Sequence, residues 1–209
     1  MTRKIFIERI LRQIYNGQPT DDSSITFNQV NQWLNDAIGV VVKKNYTESV
    51  QLDGVAYVNN SFYSTFAGLS INNEDFNTYT IDLPLIPYSL GRNEGVSSLQ
   101  FKDDTHKTSH TAIPLSINQV AYQEVLRPIQ NKILYWPENN KLYVKTGIPL
   151  ANYTATVRMI SGGDSSDLSS TLIVPDDYVP VIVEYIKAQL AYERSRPIDQ
   201  SNDGVDNVN

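Results

Sequence analysis

The chain has 209 residues, 41% hydrophobic and 19% charged, and its 17 Lys and Arg against 23 Asp and Glu give a formal net charge of -6. That length supports one sizeable core or two small ones, while the negative balance argues against a broad phosphate-binding surface, since nucleic-acid affinity rests on neutralising backbone charge with Lys and Arg. With 0 Cys, disulfides, thiolate metal sites and Cys nucleophiles are excluded together.

The N-terminal stretch MTRKIFIERILRQIY is charged throughout and lacks the apolar core of a signal peptide, and no apolar run is long enough to span a bilayer. The protein is therefore expected to be made and folded in the cytoplasm, and the glycan-acceptor matches at Asn45, Asn59 and Asn152 are chance matches in an Asn-rich chain. Within that first stretch Ile7, Ile10, Leu11 and Ile14 recur at helical spacing, with Thr2 placed to cap and Gly17-Gln18-Pro19 to stop the helix. A capping box at Thr26-Phe27-Asn28-Gln29 opens a second helix, whose apolar face runs through Val30, Trp33, Leu34, Ala37, Ile38 and Val41 to about Asn45. The two helices are expected to pair as an antiparallel hairpin.

From Ser49 the apolar period becomes two, and VQLDGVAYVNNSFYSTF reads as hairpin strands around Asp53-Gly54 and Asn59-Asn60. TYTIDLPLIPYSL predicts a strand whose prolines place it at an edge or a sharp end. VSSLQFKD and TAIPLSI form a further pair across a polar loop at residues 103–110, and a short helix is expected over residues 116–126. KILYWPENNKLYVKT predicts a hairpin turning at Pro137-Glu138-Asn139-Asn140, with YTATVRMISGG as a neighbouring strand. The excess of 13 Tyr over 6 Phe favours rings with a polar tip, which suits half-buried sheets and interfaces.

Residues 162–170 read as a flexible link. Pro175-Asp176-Asp177 then starts a last helix, apolar around more than half its circumference through Val179, Ile182, Val183, Ile186, Ala188, Leu190 and Ala191. A helix coated this widely is normally packed on both sides. Pro197 ends it, and IDQSNDGVDNVN has the low hydrophobicity of a segment that orders only on a partner. The expected fold is α+β: an N-terminal helical hairpin (1–48), a β-rich middle of antiparallel hairpins (49–163), a link and C-terminal helix packed with the hairpin (164–196), and an extended tail disordered when free (197–209).

Chemistry has few places to reside. His106 and His110, at i and i+4 with Asp103 and Asp104 upstream, have a metal-ligand spacing on paper, but the stretch reads as a loop where those side chains need not meet. The acidic pairs Asp21-Asp22, Asp164 with Asp167, and Asp176-Asp177 each sit beside Ser, Gly or Pro at an element boundary, where capping and loop solvation account for them. SGGDSSD lacks the Lys of a phosphate loop. Tyr135, Trp136 and Tyr143 could stack on a sugar, although cross-strand pairing uses the same residues. No cofactor, metal or catalytic residue is expected, and the reading is not that of an enzyme.

A helix pair, a β-rich middle, a terminal helix opened by IVPDDYVPVIVEYIKAQLAYE and a loose acidic tail together resemble the head-to-tail connector (adaptor or ring) proteins of tailed bacteriophages, closest to virion proteins of crAss-like phages. The resemblance implies a homo-oligomeric ring, dodecameric beneath a dodecameric portal, with the portal and neighbouring tail or ring proteins as partners and DNA passing without specific binding. On that reading the tail orders on assembly against a neighbour, and Trp33, Tyr185, Tyr192, Arg194, Arg196, Pro197 and Ile198 are the expected interface residues. The alternative is a carbohydrate- or receptor-binding module of a tail or fibre.

Overall fold

The computed structural model describes residues 1–15, 17, 25–54, 57–75, 77–90, 95–103, 105–115, 119 and 132–195, the side chains of Asp53 and Arg194 excepted. Three helices form one core: α1 (Arg3–Tyr15), α2 (Phe27–Asp53) and α3 (Val179–Ser195). Phe6, Ile7, Ile10 and Leu11 of α1 meet Val30, Leu34, Ile38 and Val41 of α2 and Ile182, Ile186 and Leu190 of α3. Each such side chain contributes about 1.5–3 kcal/mol by leaving water, so this cluster is the main reason the chain's two ends come together.

The helix ends are built as the sequence predicts, with one addition. Gln29 N donates to Thr26 Oγ1 at 3.3 Å and Thr26 N to Gln29 Oε1 at 2.9 Å, completing the capping box of α2. At α1, Ile5 N donates to Thr2 Oγ1 at 3.4 Å. The next two free donors are met from the far end of the chain: Arg3 N donates to Ser170 O at 3.0 Å and Lys4 N to Leu168 O at 2.9 Å. Residues 162–170 are thus a strap rather than a flexible link. Asp164 Oδ1 accepts from Ser166 N at 2.8 Å and Ser166 Oγ at 2.6 Å, and Asp167 Oδ1 accepts from Ser169 N at 2.9 Å and Ser169 Oγ at 2.6 Å. Short Asp and Ser side chains that bond backbone two residues on replace a ladder in such loops.

Among the described residues nine strands follow: β1 (Tyr63–Leu69), β2 (Asn72–Asp75), β3 (Thr78–Asp82), β4 (Val96–Asp103), β5 (Thr108–Thr111), β6 (Ile113–Pro114), β7 (Leu134–Glu138), β8 (Lys141–Lys145) and β9 (Thr154–Ile160). They form a four-stranded sheet in the order β1-β9-β4-β5 and a five-stranded sheet in the order β2-β3-β8-β7-β6. All pairings are antiparallel except β6 with β7. The sheets share a second core: Val96, Leu99, Phe101, Ala155, Val157 and Met159 from one meet Ile81, Tyr135, Leu142 and Val144 from the other. Alternation along β8 and β9 supplies these residues, since a period of two sends every second side chain to one face.

The β7–β8 hairpin turns on Asn139 and Asn140 alone, with Glu138 opposite Lys141 and Pro137 opposite Leu142. Asn139 takes the positive φ of 56° that the turn needs. In a two-residue hairpin the pair beside the turn is hydrogen-bonded and the next is not, so Pro137 forfeits no bond to β8. Pro137 and Glu138 are therefore strand residues and not part of the turn.

Other elements depart from expectation for identifiable reasons. α2 continues through Asp53 instead of giving way to strands at residue 49, so the expected boundary after residue 48 falls inside a helix. Ser49 is buried and its Oγ bonds the Asn45 carbonyl at 2.9 Å, while Gly54, at φ 67°, donates to Val50 O at 3.0 Å as a left-handed cap. Asp53-Gly54 closes a helix here, a use of Gly as common as the hairpin turn. The last helix begins at Val179, preceded by a 3-10 turn over Asp176–Tyr178. His110 lies in β5 opposite Phe101, which confines the β4–β5 loop to fewer residues than expected. β2 was not foreseen: all four of its residues are exposed and polar, as suits an edge strand that must resist pairing with other chains. The helix expected over 116–126 lies outside the described residues apart from Gln119, as does the tail.

The two cores meet at residues 83–90. Tyr88 N donates to Ile160 O at 2.9 Å, Ile160 N donates to Gly95 O at 2.9 Å, and Tyr88 Oη donates to Asn35 O on α2 at 3.2 Å. Burial pushes the Tyr88 hydroxyl up to about 12, so it remains a donor at any pH of interest. One loop tyrosine thereby ties α2 to the last residue of β9.

Candidate assembly interface

The expected interface residues do not share one surface state. Trp33 and Tyr185 are half-buried and pack against the helical core, whereas Tyr192 is 60% exposed on the outer side of α3. Ala188 and Ala191 are exposed on the same helix, while Ile182, Ile186 and Leu190 face inward. The wide apolar coating therefore divides into a buried stripe and an outer face of small residues with one ring. Arg194 belongs to α3, but its side chain, and Arg196, Pro197 and Ile198, lie outside the described residues.

Sequence patterning missed the outer face of α1. Ile5 is 55% exposed, off the stripe that buries Phe6, Ile7, Ile10 and Leu11. With Glu8, Arg9, Arg12 and Gln13 it lines a shallow cleft of ≈ 320 Å³. Glu8 Oε1 stands 4.0 Å from Lys4 Nζ; Arg9 and Arg12 have no carboxylate partner among the described residues. The signal was available: an apolar residue out of register with its helix period, flanked by cations.

The stretches weighed for chemistry have structural partners. Asp103 Oδ2 and His106 Nδ1 are 2.6 Å apart, and Asp103 Oδ1 accepts from Thr105 N at 2.9 Å and His106 N at 3.2 Å. His110 turns elsewhere, its Nε2 3.3 Å from Tyr153 Oη, so the two imidazoles do not converge. Tyr135 is fully buried and donates to Val96 O at 3.1 Å, linking the two sheets, and burial pushes its hydroxyl up to about 12. Trp136 and Tyr143 are cross-strand partners stacked at 5.6 Å with their planes 11° apart. The ring faces that a sugar platform would need are therefore turned in part on each other.

The contact with His106, the largest influence, and the loop N–H bonds hold the Asp103 carboxyl below the usual carboxylate range. A depressed carboxylate pKa stabilises the fold above its unfolded value, and that contribution is lost as pH falls through the lower folded one. His106→Ala is expected to raise the Asp103 pKa towards the ordinary value, read by carboxyl carbon titration in NMR, and to leave the fold intact. An unchanged titration would show that the loop backbone alone sets the shift.

Two packed cores leave Tyr192 exposed on α3 and the Ile5 cleft, with Arg9 and Arg12, open on α1. A family model described as phage tail ring protein 2 matches residues 5–208. The chain belongs to this ring protein family of crAss-like phages and is a structural component of the virion. No curated protein matches it. Among the described residues no helix is long and apolar enough to cross a membrane.

Proposed function

We propose that the chain forms a homo-oligomeric connector ring, dodecameric and stacked below the portal at the head-to-tail junction, around the channel through which the genome passes. The observation that carries this reading is the family match over nearly the whole chain. The role is structural and involves no catalysis. A ring closes when one surface of a subunit binds a different surface of the next and the rotation completes a circle. The outer faces of α1 and α3 are two such surfaces.

The charge distribution suits a conduit. α1 carries Arg3, Lys4, Arg9 and Arg12 against Glu8, a net +3, so the rest of the chain holds -9 of the formal total of -6. An acidic wall repels phosphates and lets a duplex slide without binding. A cryo-electron reconstruction of the virion tests the placement: density for this fold in a ring touching the portal is expected, and the fold found only in a peripheral fibre would support receptor binding instead. The bonded and buried Tyr135 weighs against that second reading.

A further inference from the structure

We infer that the four-stranded sheet continues from one copy into the next, β5 of one subunit pairing with β1 of its neighbour; the assignment rests on the ring reading. The order β1-β9-β4-β5 leaves β1 and β5 as the two edges of this sheet, and an open edge is a row of backbone donors and acceptors ready to take a further strand. The edges of the other sheet are blunted: β2 is exposed Asn72, Asn73, Glu74 and Asp75, and β6 is two residues ending in Pro114. β1 and β5 carry no such device. Neither Tyr63–Leu69 nor Thr108–Thr111 holds an Asp, Glu, Lys, Arg or Pro, so no like charges oppose each other when the two strands meet.

Two bonds fix which backbone groups face outward. Ala112 N donates to Leu99 O at 2.9 Å, which turns Leu99 towards β5; with Phe101 opposite His110 and Asp103 opposite Thr108, the backbone groups of His110 and Thr108 point to β4. Ser109 and Thr111, one step out of phase, point away from the sheet. At the far edge Ile160 N donates to Gly95 O at 2.9 Å, so Ile160 and Arg158 address β4 while Met159 and Val157 address β1. Their partners Ser64 and Phe66 point inward, and Thr65 points out. Among the described residues no hydrogen bond meets the outward groups of Thr65, Ser109 or Thr111, and all three residues are exposed.

Three antiparallel pairings separate β1 from β5, so the two edges run in opposite directions. A rotation about an axis along the strands therefore lays β5 antiparallel on the next copy's β1. Strand length sets the register: β1 is regular over Tyr63–Phe66, before its irregularity between Phe66 and Leu69, and this stretch matches the 4 residues of β5. Ser109 then faces Thr65, both directed outward and both exposed, and the pair exchanges two backbone bonds. A slip of one residue would set each outward group against an inward one and reverse the side-chain faces. Every copy supplies both edges, so the contact is head-to-tail and repeats until the ring closes.

Thr65→Cys with Ser109→Cys tests the pairing in a chain that has 0 Cys of its own. Within one copy the two positions lie three strand spacings apart, roughly 14 Å at about 4.8 Å each, beyond the roughly 7 Å that a disulfide spans between Cα atoms. Across the inferred pair they lie about 5.5 Å apart. Mild oxidation of the full chain carrying both changes is expected to give a ladder of covalent multiples on a non-reducing gel. The two single variants mixed are expected to give the two-copy band, and each alone less than a tenth of it. Thr65→Pro removes an outward N–H and keeps the bonds to β9; it is expected to cut the ring population in sedimentation velocity at least tenfold with the circular dichroism unchanged. Wild-type rings without a ladder from the double variant would overturn the pairing and leave the ring reading standing, as would undiminished rings from a folded Thr65→Pro. Cross-linking of Thr65→Cys alone as strong as that of the mixture would mean a two-fold pairing of β1 with itself and overturn the inference too. A wild type that stays single at every concentration would remove the ring reading and the pairing with it.

Discussion

Gly95→Ala is expected to cost about 4 kcal/mol or more, a large share of the roughly 5–15 kcal/mol that holds a domain folded. A Cβ at this position would lie 1.9 Å from the Tyr88 carbonyl oxygen and 3.1 Å from its carbon. The obstacle is backbone, so no side chain can swing away. Nor can the backbone retreat freely, because Gly95 O accepts from Ile160 N at 2.9 Å while Tyr88 N donates to Ile160 O at 2.9 Å. Overpacking alone costs about 1–3 kcal/mol, and each bond broken to relieve it adds about 1 kcal/mol. Urea denaturation measures the loss. Gly147→Ala is the control: nothing lies within 4 Å of its Cβ, and a change within about 0.5 kcal/mol is expected. Equal effects at both positions would mean that the junction between the cores is looser than described.

Arg3→Ala is the second large effect, expected at about 2–4 kcal/mol from two half-buried acceptors that lose their donors and the volume removed. Arg3 is 1% exposed, unusual for a guanidinium. Its Nε donates to Asn31 Oδ1 at 2.6 Å and an Nη2 hydrogen to Asn35 Oδ1. Burial lowers its pKa, opposed by Tyr88 and Asp164. Arg3 thus gathers α1, α2 and the strap, whose Ser170 carbonyl it also holds through its own N–H. Arg3→Lys is expected to recover less than half of the loss, since an ammonium cannot match the fixed fork of donors. A full recovery by Lys would show that charge, not geometry, is what the site uses.

The sequence made some elements legible and hid others for physical reasons. α1, α2, α3 and the β7–β8 hairpin were readable because their apolar residues recur at a period that only one regular structure satisfies, and because Thr26 with Gln29 and Asn139 with Asn140 are local devices. The end of α2 was not, because Asp53-Gly54 serves helix caps and hairpin turns alike, and the buried Ser49 that decides between them is a tertiary fact. Arg3 carries no local signal of burial; α2, through Asn31 and Asn35, and the strap over residues 162–170 close around it. Tyr88 follows Pro84 and Pro87 in a segment with no period, so nothing local announces that it ties two cores together. Among the expected interface residues, Tyr185 and Tyr192 were chosen together as rings outside the main stripe of the last helix. Tyr192 is exposed, whereas packing half-buries Trp33 and Tyr185 against their own core.

In the proposed function, copies of this chain close into a ring around a channel. Electron micrographs of the purified full chain, together with its native mass, test it most directly. One closed species with a central hole is expected, with a mass that is a whole multiple of the 23.6 kDa chain and with α1 and α3 both at the contacts between copies. Single copies at every concentration, or two-fold dimers joined through one self-complementary face, would contradict it.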